Sequence, residues 1–184
     1  MNIVIGLGNP EKKYDKTRHN VGFALLDEFA TSQGLHWKEQ AKFRAFVAKL
    51  PSNSLLIKPT TYYNLSGETV RAVADFYKIP AEDILVIHDD HALPFGTLRT
   101  RSGGSDAGNN GVKSVNAHMP GTRRLRVGTH SEQRAAVGDT DHVLSKFSSS
   151  EQQALALLQN SVNKVISDFM DGKFVATTYQ LDPK

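Results

Sequence analysis

The sequence predicts an α/β fold, and three observations carry that reading. Short apolar runs of strand type alternate along the chain with segments of helical periodicity. Polar turns rich in glycine and asparagine close several of those apolar runs. A length of 184 residues suits one domain with a core of its own, spanning 1–184.

Residues 2–6 form the first short strand, closed by the turn Gly6-Leu7-Gly8-Asn9-Pro10. Residues 20–33 have helical spacing, with Val21, Leu25, Leu26 and Phe29 on one face and Gly34 as the stop. Residues 43–50 and 55–58 read as two strands of a hairpin joined by Pro51-Ser52-Asn53-Ser54. Ser66 is placed to cap a helix carrying Val70, Val73, Ala74 and Tyr77, which must end before Pro80. Residues 84–87 form an apolar strand running into His88-Asp89-Asp90, and 97–101 alternate in strand fashion. A glycine loop then leads to a helix through Val112 and Val115, and 125–128 form another strand. Ser148-Ser149-Ser150-Glu151 is a capping-box pattern that opens a last helix. Its stripe of Leu155, Leu158, Val162, Val165 and Phe169 is core packing, and Gly172 ends it. Residues 137–150 are expected to be a flexible connection.

Composition excludes several classes. With no cysteine there is no disulfide framework and no thiolate nucleophile. No apolar run approaches the roughly 18 residues of a membrane helix, and the amino terminus has a strand pattern where a signal peptide would be charged and then apolar. The expectation is a cytoplasmic protein. The net charge is only +3, but its distribution is uneven. Between Arg99 and Arg134, seven basic residues (Arg99, Arg101, Lys113, Arg123, Arg124, Arg126, Arg134) face only Asp106 and Glu132. That is the footprint of a polyanion site or, in the bland alternative, a solvated basic face.

Histidine is the side chain whose unperturbed pKa of about 6.5 suits proton transfer near neutrality. His19 lies in Thr17-Arg18-His19-Asn20, a polar run behind the first strand, which favours a catalytic over a core role. Three other polar segments follow strands: 60–67, His88-Asp89-Asp90-His91, and the glycine-rich 102–111. Together they offer a carboxylate to orient an imidazole, amides that do not titrate, and backbone N–H groups at a helix start. Each feature alone is also ordinary turn chemistry.

Five motifs, in this order and spacing, resemble the bacterial peptidyl-tRNA hydrolase family. They are Gly6-Leu7-Gly8-Asn9-Pro10, Thr17-Arg18-His19-Asn20, Asn64-Leu65-Ser66-Gly67, His88-Asp89-Asp90 with Leu93-Pro94, and Gly108-x-Asn110-Gly111-x-Lys113-Ser114. The resemblance covers essentially the whole chain. It implies an α/β domain with a mixed, twisted sheet surrounded by helices, acting without metal or cofactor on the ester between a peptide and the 3′ ribose of tRNA. It also implies a monomer with no obligate protein partner and no membrane contact. By matching positions, His19 is the general base and Asp89 its orienting carboxylate. The substrate-binding set is Asn9, Asn64 and Asn110 with Tyr14 and Tyr63. The tRNA-binding set is Arg99, Arg101, Lys113 and Arg126, with Asn109 in the loop beside the acceptor end.

The chain departs from the family pattern at several positions. Asn109 stands where the family usually has histidine, and Tyr63 where it usually has methionine. His91-Ala92-Leu93-Pro94 replaces Leu-Asp-Leu-Pro, and Gly128-Thr129-His130-Ser131 replaces a Gly-x-Gly-Arg-Pro-like stretch. These changes bear on acceptor-end recognition and rate. An RNA-binding relative with weak or no catalysis is therefore the alternative function. A dinucleotide-binding turn is disfavoured because Glu11 stands where G-x-G-x-x-G needs its third glycine. A metal hydrolase built on residues 88–91 is disfavoured because neighbours on a strand point to opposite faces.

Overall fold

The protein was analysed as a computed structural model, which describes residues 1–131 and 138–180. The strands are β1 (Ile3–Gly6), β2 (Lys38–Gln40), β3 (Ala45–Lys49), β4 (Leu55–Pro59), β5 (Ile84–Pro94), β6 (Thr97–Ser102), β7 (Arg123–His130) and β8 (Thr178–Gln180). They form one mixed sheet in the order β2-β3-β4-β1-β5-β7-β6-β8. The centre is parallel, with β1 paired to β4 and β5, and β5 paired to β7. Both flanks are antiparallel. Among the described residues the α-helices are α1 (Val21–Ser32), α2 (Ser66–Tyr77), α3 (Asn110–His118), α4 (Asp139–Leu144) and α5 (Ser149–Met170).

Alternation along the central strands sends side chains into two cores. Val4, Leu56, Leu85 and Ile87 pack with α1 and α5, while Ile3, Ile5, Ile57 and Val86 pack with α2 and α3. Strands buried on both faces are continuous apolar runs, which is why β1, β4 and the first half of β5 read so clearly. The chain leaves β1 toward β4 on one side and returns to β5 on the other. Such a reversal opens a crevice at the carboxyl ends of the strands. There β1 stops at Gly6, opposite Ile87, whereas β5 continues and carries Asp89 and Asp90 past it.

Gly6 and Gly22 bring α1 onto that edge, a Cβ on Gly6 falling 2.5 Å from the Gly22 carbonyl oxygen. A Cβ on Gly22 would lie 2.5 Å from the Ile87 carbonyl oxygen and 2.7 Å from the Leu7 backbone. The first turn of α1 therefore lies directly on β1 and β5, with His19 just ahead of it.

Three expectations need correction. Ser66 is the first residue of α2 and not its cap, because a 3-10 turn, Tyr63–Leu65, runs straight into the helix and the Ser66 hydroxyl donates to the Tyr63 carbonyl. The expected flexible connection contains α4, and its backbone is tied to the His19 segment by Arg18 N to Ser145 O at 3.0 Å and Phe147 N to Lys16 O at 3.1 Å. Val137 of that stretch, like Glu132 and Arg134 of the basic sector, lies outside the described residues. The strand expected at 84–87 runs to Pro94. The Ser148–Glu151 capping box is present with both reciprocal bonds.

Gly22→Ala tests the close approach. Forced overpacking costs about 1–3 kcal/mol, so the denaturant midpoint should fall by that equivalent, and turnover should fall further because the turn bearing His19 is displaced.

Candidate active site

His19 sits on a 3-10 turn, Arg18–Asn20, whose two flanking residues are buried while its own side chain is 17% exposed. Asn20 fixes one side. Its Oδ1 accepts from Asn9 N and its Nδ2 donates to Asn9 O, both at 2.9 Å, which ties the turn to the loop after β1. Arg18 fixes the other side. Its guanidinium pairs with Glu151 of α5 at 2.9 and 3.0 Å, donates to Ser145 Oγ and lies over the Phe147 ring.

Asp89 is fully buried, and its carboxylate faces His19 Nδ1 at 3.0 and 3.1 Å. Tyr63 donates its hydroxyl to the same carboxylate, and its ring stacks on the imidazole with centroids 3.5 Å apart and planes 16° apart. Desolvation pushes the Asp89 carboxyl upward, but the charge and hydrogen bond of His19, followed by the Tyr63 hydroxyl, outweigh it and hold the group below its ordinary value. Burial, reinforced by Asp89, pushes the Tyr63 phenol well above its ordinary value, so it stays a donor. Burial also lowers His88, which remains neutral with Nδ1 donating to the Asp89 carbonyl at 2.8 Å. With Nδ1 of His19 committed to a carboxylate, Nε2 is the ring's acceptor nitrogen.

His19, Asp89 and Tyr63 line a cleft of about 340 Å³ that also takes in Asn9, Tyr14, Asn64 and Asn110, so the expected catalytic and substrate residues lie together. Asn64 and Asn110 are exposed at its mouth, and Asn9 is 8% exposed. Asn9 Oδ1 accepts from Tyr63 N at 2.9 Å, which leaves its amide N–H groups as donors. Tyr63, expected to meet substrate, lines the cleft, and its hydroxyl is taken up by Asp89. Asn109, expected to meet RNA from a polar loop, is buried rather than exposed, yet it lines the cleft. It is 8% exposed and caps α3 through Oδ1 on Val112 N, while Nδ2 donates to Tyr63 Oη at 3.0 Å and to the Asp89 carbonyl at 3.2 Å.

A second cavity of about 290 Å³ shares Asp89 and Asn109 with the first and is walled by Arg101, Arg124 and Arg126. Register explains the wall. Arg99 lies opposite Arg126 and Arg101 opposite Arg124, so Arg-x-Arg on β6 faces Arg-x-Arg on β7. Arg126 pairs with Asp90 at 2.6 Å. Arg99 reaches Thr178 and lies outside both cavities, and Lys113 is exposed on α3. Arg124 had been counted as charge and not as a site residue. It is 3% exposed and donates to the Gly104 and Ser105 carbonyls, holding the glycine loop over the cavity. The paired Arg-x-Arg motifs were the signal for it. Among the described residues no three His, Asp or Glu side chains converge as a metal-ligand set. Within 88–91, His88 turns to a carbonyl and Asp90 to Arg126.

Fold and site together define an α/β protein with a histidine–carboxylate pair at the carboxyl edge of its sheet, beside an arginine-rich wall. Comparison with known proteins narrows the class. Residues 3–183 match the family model described as peptidyl-tRNA hydrolase. Similar curated proteins include the peptidyl-tRNA hydrolases of Exiguobacterium sibiricum, 45% identical over 96% of this chain and 97% of that one, and of Listeria monocytogenes, 37% identical over the whole of both. The crystal structure of peptidyl-tRNA hydrolase from Acinetobacter baumannii superposes with a TM-score of 0.83 at 31% identity, covering 94% of this chain and 90% of that one. The chain belongs to the peptidyl-tRNA hydrolase family.

Asp89 and Glu151 give the fold an acid limit. Burial raises Glu151, but Arg18 and the Ser148 contacts lower it further, so both carboxyls are depressed in the native state. The unfolded chain, with values of about 3.9 and 4.3, then binds more protons near pH 4 than the native chain does. Their stabilisation is present above those values and is lost as pH falls through the native ones. Glu151→Gln should lower stability at pH 7 and flatten its decline below about pH 4.3, read by urea midpoints across pH.

Proposed function

We propose that this chain carries out its family's reaction, hydrolysis of the ester between a peptide and the 3′ end of tRNA, with His19 as general base. The observation that carries the reading is the His19–Asp89 pair in a cleft shared with Asn9, Asn64 and Asn110. His19 Nε2 takes a proton from water as the oxygen attacks the ester carbonyl, and Asp89 stabilises the imidazolium that forms. The imidazolium then returns the proton to the departing ribose oxygen. The Asn9 amide, its oxygen held by Tyr63 N, presents N–H donors to the carbonyl oxygen as charge develops there. Asn64 and Asn110 hold the peptide and the terminal nucleotide at the mouth. Arg99, Arg101 and Lys113 meet phosphates of the acceptor stem, and Arg126 contributes through its pair with Asp90.

Recycling of tRNA from prematurely released peptidyl-tRNA, in the cytoplasm and by a monomer whose single domain spans 1–184, is the setting this reading implies. Among the described residues no helix is long and apolar enough to cross a membrane. The binding-only alternative has no observation in its favour.

Release of peptide from purified peptidyl-tRNA tests the activity. His19→Ala should lower kcat about 10²–10⁴-fold while tRNA affinity is nearly retained; a variant keeping a third of wild-type turnover would remove His19 from the role. Arg101→Glu should weaken tRNA binding and flatten its salt dependence, since about 0.7–0.9 counterion is released per phosphate neutralised. An unchanged slope in a filter-binding series would return Arg101 to a solvated face.

A further inference from the structure

Tyr63, ahead of α2, and Asn109, at the start of α3, come from connections 46 residues apart, and in the structure they touch. Asn109 Nδ2 donates to Tyr63 Oη at 3.0 Å, and both side chains reach Asp89. The hydrogen bonds have a direction that can be read from one end. Val112 N is a donor only, so the Asn109 side chain must turn its oxygen toward it, at 3.0 Å. That leaves the amide nitrogen facing Tyr63, whose oxygen accepts. The Tyr63 proton is then committed to Asp89 Oδ1. Oδ1 also receives Asn109 Nδ2 at 3.4 Å, and His19 Nδ1 faces both carboxylate oxygens, at 3.1 Å from Oδ1 and 3.0 Å from Oδ2.

We propose that Tyr63 is a positioning residue for the reaction proposed above, fixing the orientation of Asp89 through its hydroxyl and that of His19 through its ring, with Asn109 holding the hydroxyl in its donating sense. The inference rests on that reading of His19 as the base. The ring acts sterically, since ring centroids 3.5 Å apart with planes within 16° of parallel leave the imidazole little freedom to tilt off the carboxylate. The hydroxyl acts electrostatically. A proton donated to Oδ1 draws charge from the carboxylate and tempers its pull on the imidazolium. The groups facing the Asp89 carboxylate are His19 ahead of α1, Tyr63 ahead of α2 and Asn109 at the start of α3, while His88, beside it on β5, donates to its backbone carbonyl. On the neighbouring β7, Arg124 is turned to loop carbonyls and Arg126 to Asp90.

Tyr63→Phe keeps the ring and removes the hydroxyl. With hydrogen bonds to charged groups at the strong end of their range, kcat should fall about tenfold. KM should hardly change, and the acid limb of the pH–rate profile should move to higher pH. Asn109→Ser keeps an oxygen for the α3 cap but loses the amide donor. It should move the limb the same way by less, and hardly at all in the Tyr63→Phe background. An unmoved acid limb in a folded Tyr63→Phe enzyme would make Tyr63 mere packing under His19. Equal effects of Asn109→Ser in both backgrounds would sever the chain at the hydroxyl. Nitrogen NMR of His19 in the wild type tests the premise beneath the proposal: a proton on Nδ1 and none on Nε2 above the acid limb is expected, and the reverse overturns the reading of Nε2 as the base and the proposal with it. A wild-type protein that releases no peptide would fail the hydrolase reading itself, whereas an active wild type with an unaltered Tyr63→Phe profile would fail this inference alone.

Discussion

The site is organised by one constraint, a carboxylate with no access to water. Asp89 is fully buried at the point where β5 outruns β1. An ionised carboxylate in such a place costs several kcal/mol unless donors surround it, and three segments from different parts of the chain supply them. His19 arrives from the turn before α1, Tyr63 from the turn before α2, and Asn109 from the start of α3. Each is delivered by a connection at the carboxyl edge of the parallel strands, so the fold's crevice and the charge's need for donors select the same place. The site is in this sense a solution to the burial of Asp89, and the basic nitrogen of His19 is what that solution leaves facing the cleft.

A second electrostatic problem lies alongside. Like charges directly opposed across an antiparallel pair are destabilising, yet β6 and β7 oppose arginines twice, Arg99 to Arg126 and Arg101 to Arg124. The structure disposes of this by giving each guanidinium its own acceptor. Arg126 takes Asp90, Arg124 the Gly104 and Ser105 carbonyls, Arg101 the Thr100 carbonyl, and Arg99 the Thr178 hydroxyl. Burial pulls Arg124 below the ordinary arginine range, with the Arg126 charge adding to the effect. The same concentration of positive charge that strains the sheet is what a polyanionic substrate would relieve.

The parts of this arrangement legible in the sequence were those with a local cause. β1, β4 and the start of β5 announce themselves as apolar runs because they are covered on both faces, and the α5 capping box is a four-residue pattern. The His19–Asp89 association came through resemblance, and the geometry brings the two residues together across 70 positions of chain. What stayed illegible had a tertiary cause. β2 and β8 are three-residue edge strands with no hydrophobic alternation, defined only by their neighbours. The Arg124 contacts required the register of β6 on β7. Asn109 looked like a loop residue because its neighbours Ala107, Gly108 and Asn110 are polar or small, yet it is buried by segments distant in sequence, Tyr63 and Asp89. Its role as the α3 cap is the one part of that placement a sequence pattern could have shown.

The stiffness around His19 comes from its neighbours in the chain. Arg18 and Asn20 are buried on either side, one clamped to α5 and the other to the loop after β1, while the imidazole between them is partly open to the cleft. Glu151 completes this clamp and the α5 capping box with one carboxylate, accepting from Arg18 and from Ser148 N. The start of the long helix and the placement of His19 therefore depend on the same charged group. A buried arginine left without its carboxylate is strongly destabilising, so the chain cannot loosen α5 without disturbing the turn that carries His19. In the proposed role of His19 that coupling is an advantage, because productive geometry is lost with displacements on the order of 1 Å. The most firmly held residues of the site are thus ones that need not touch substrate at all.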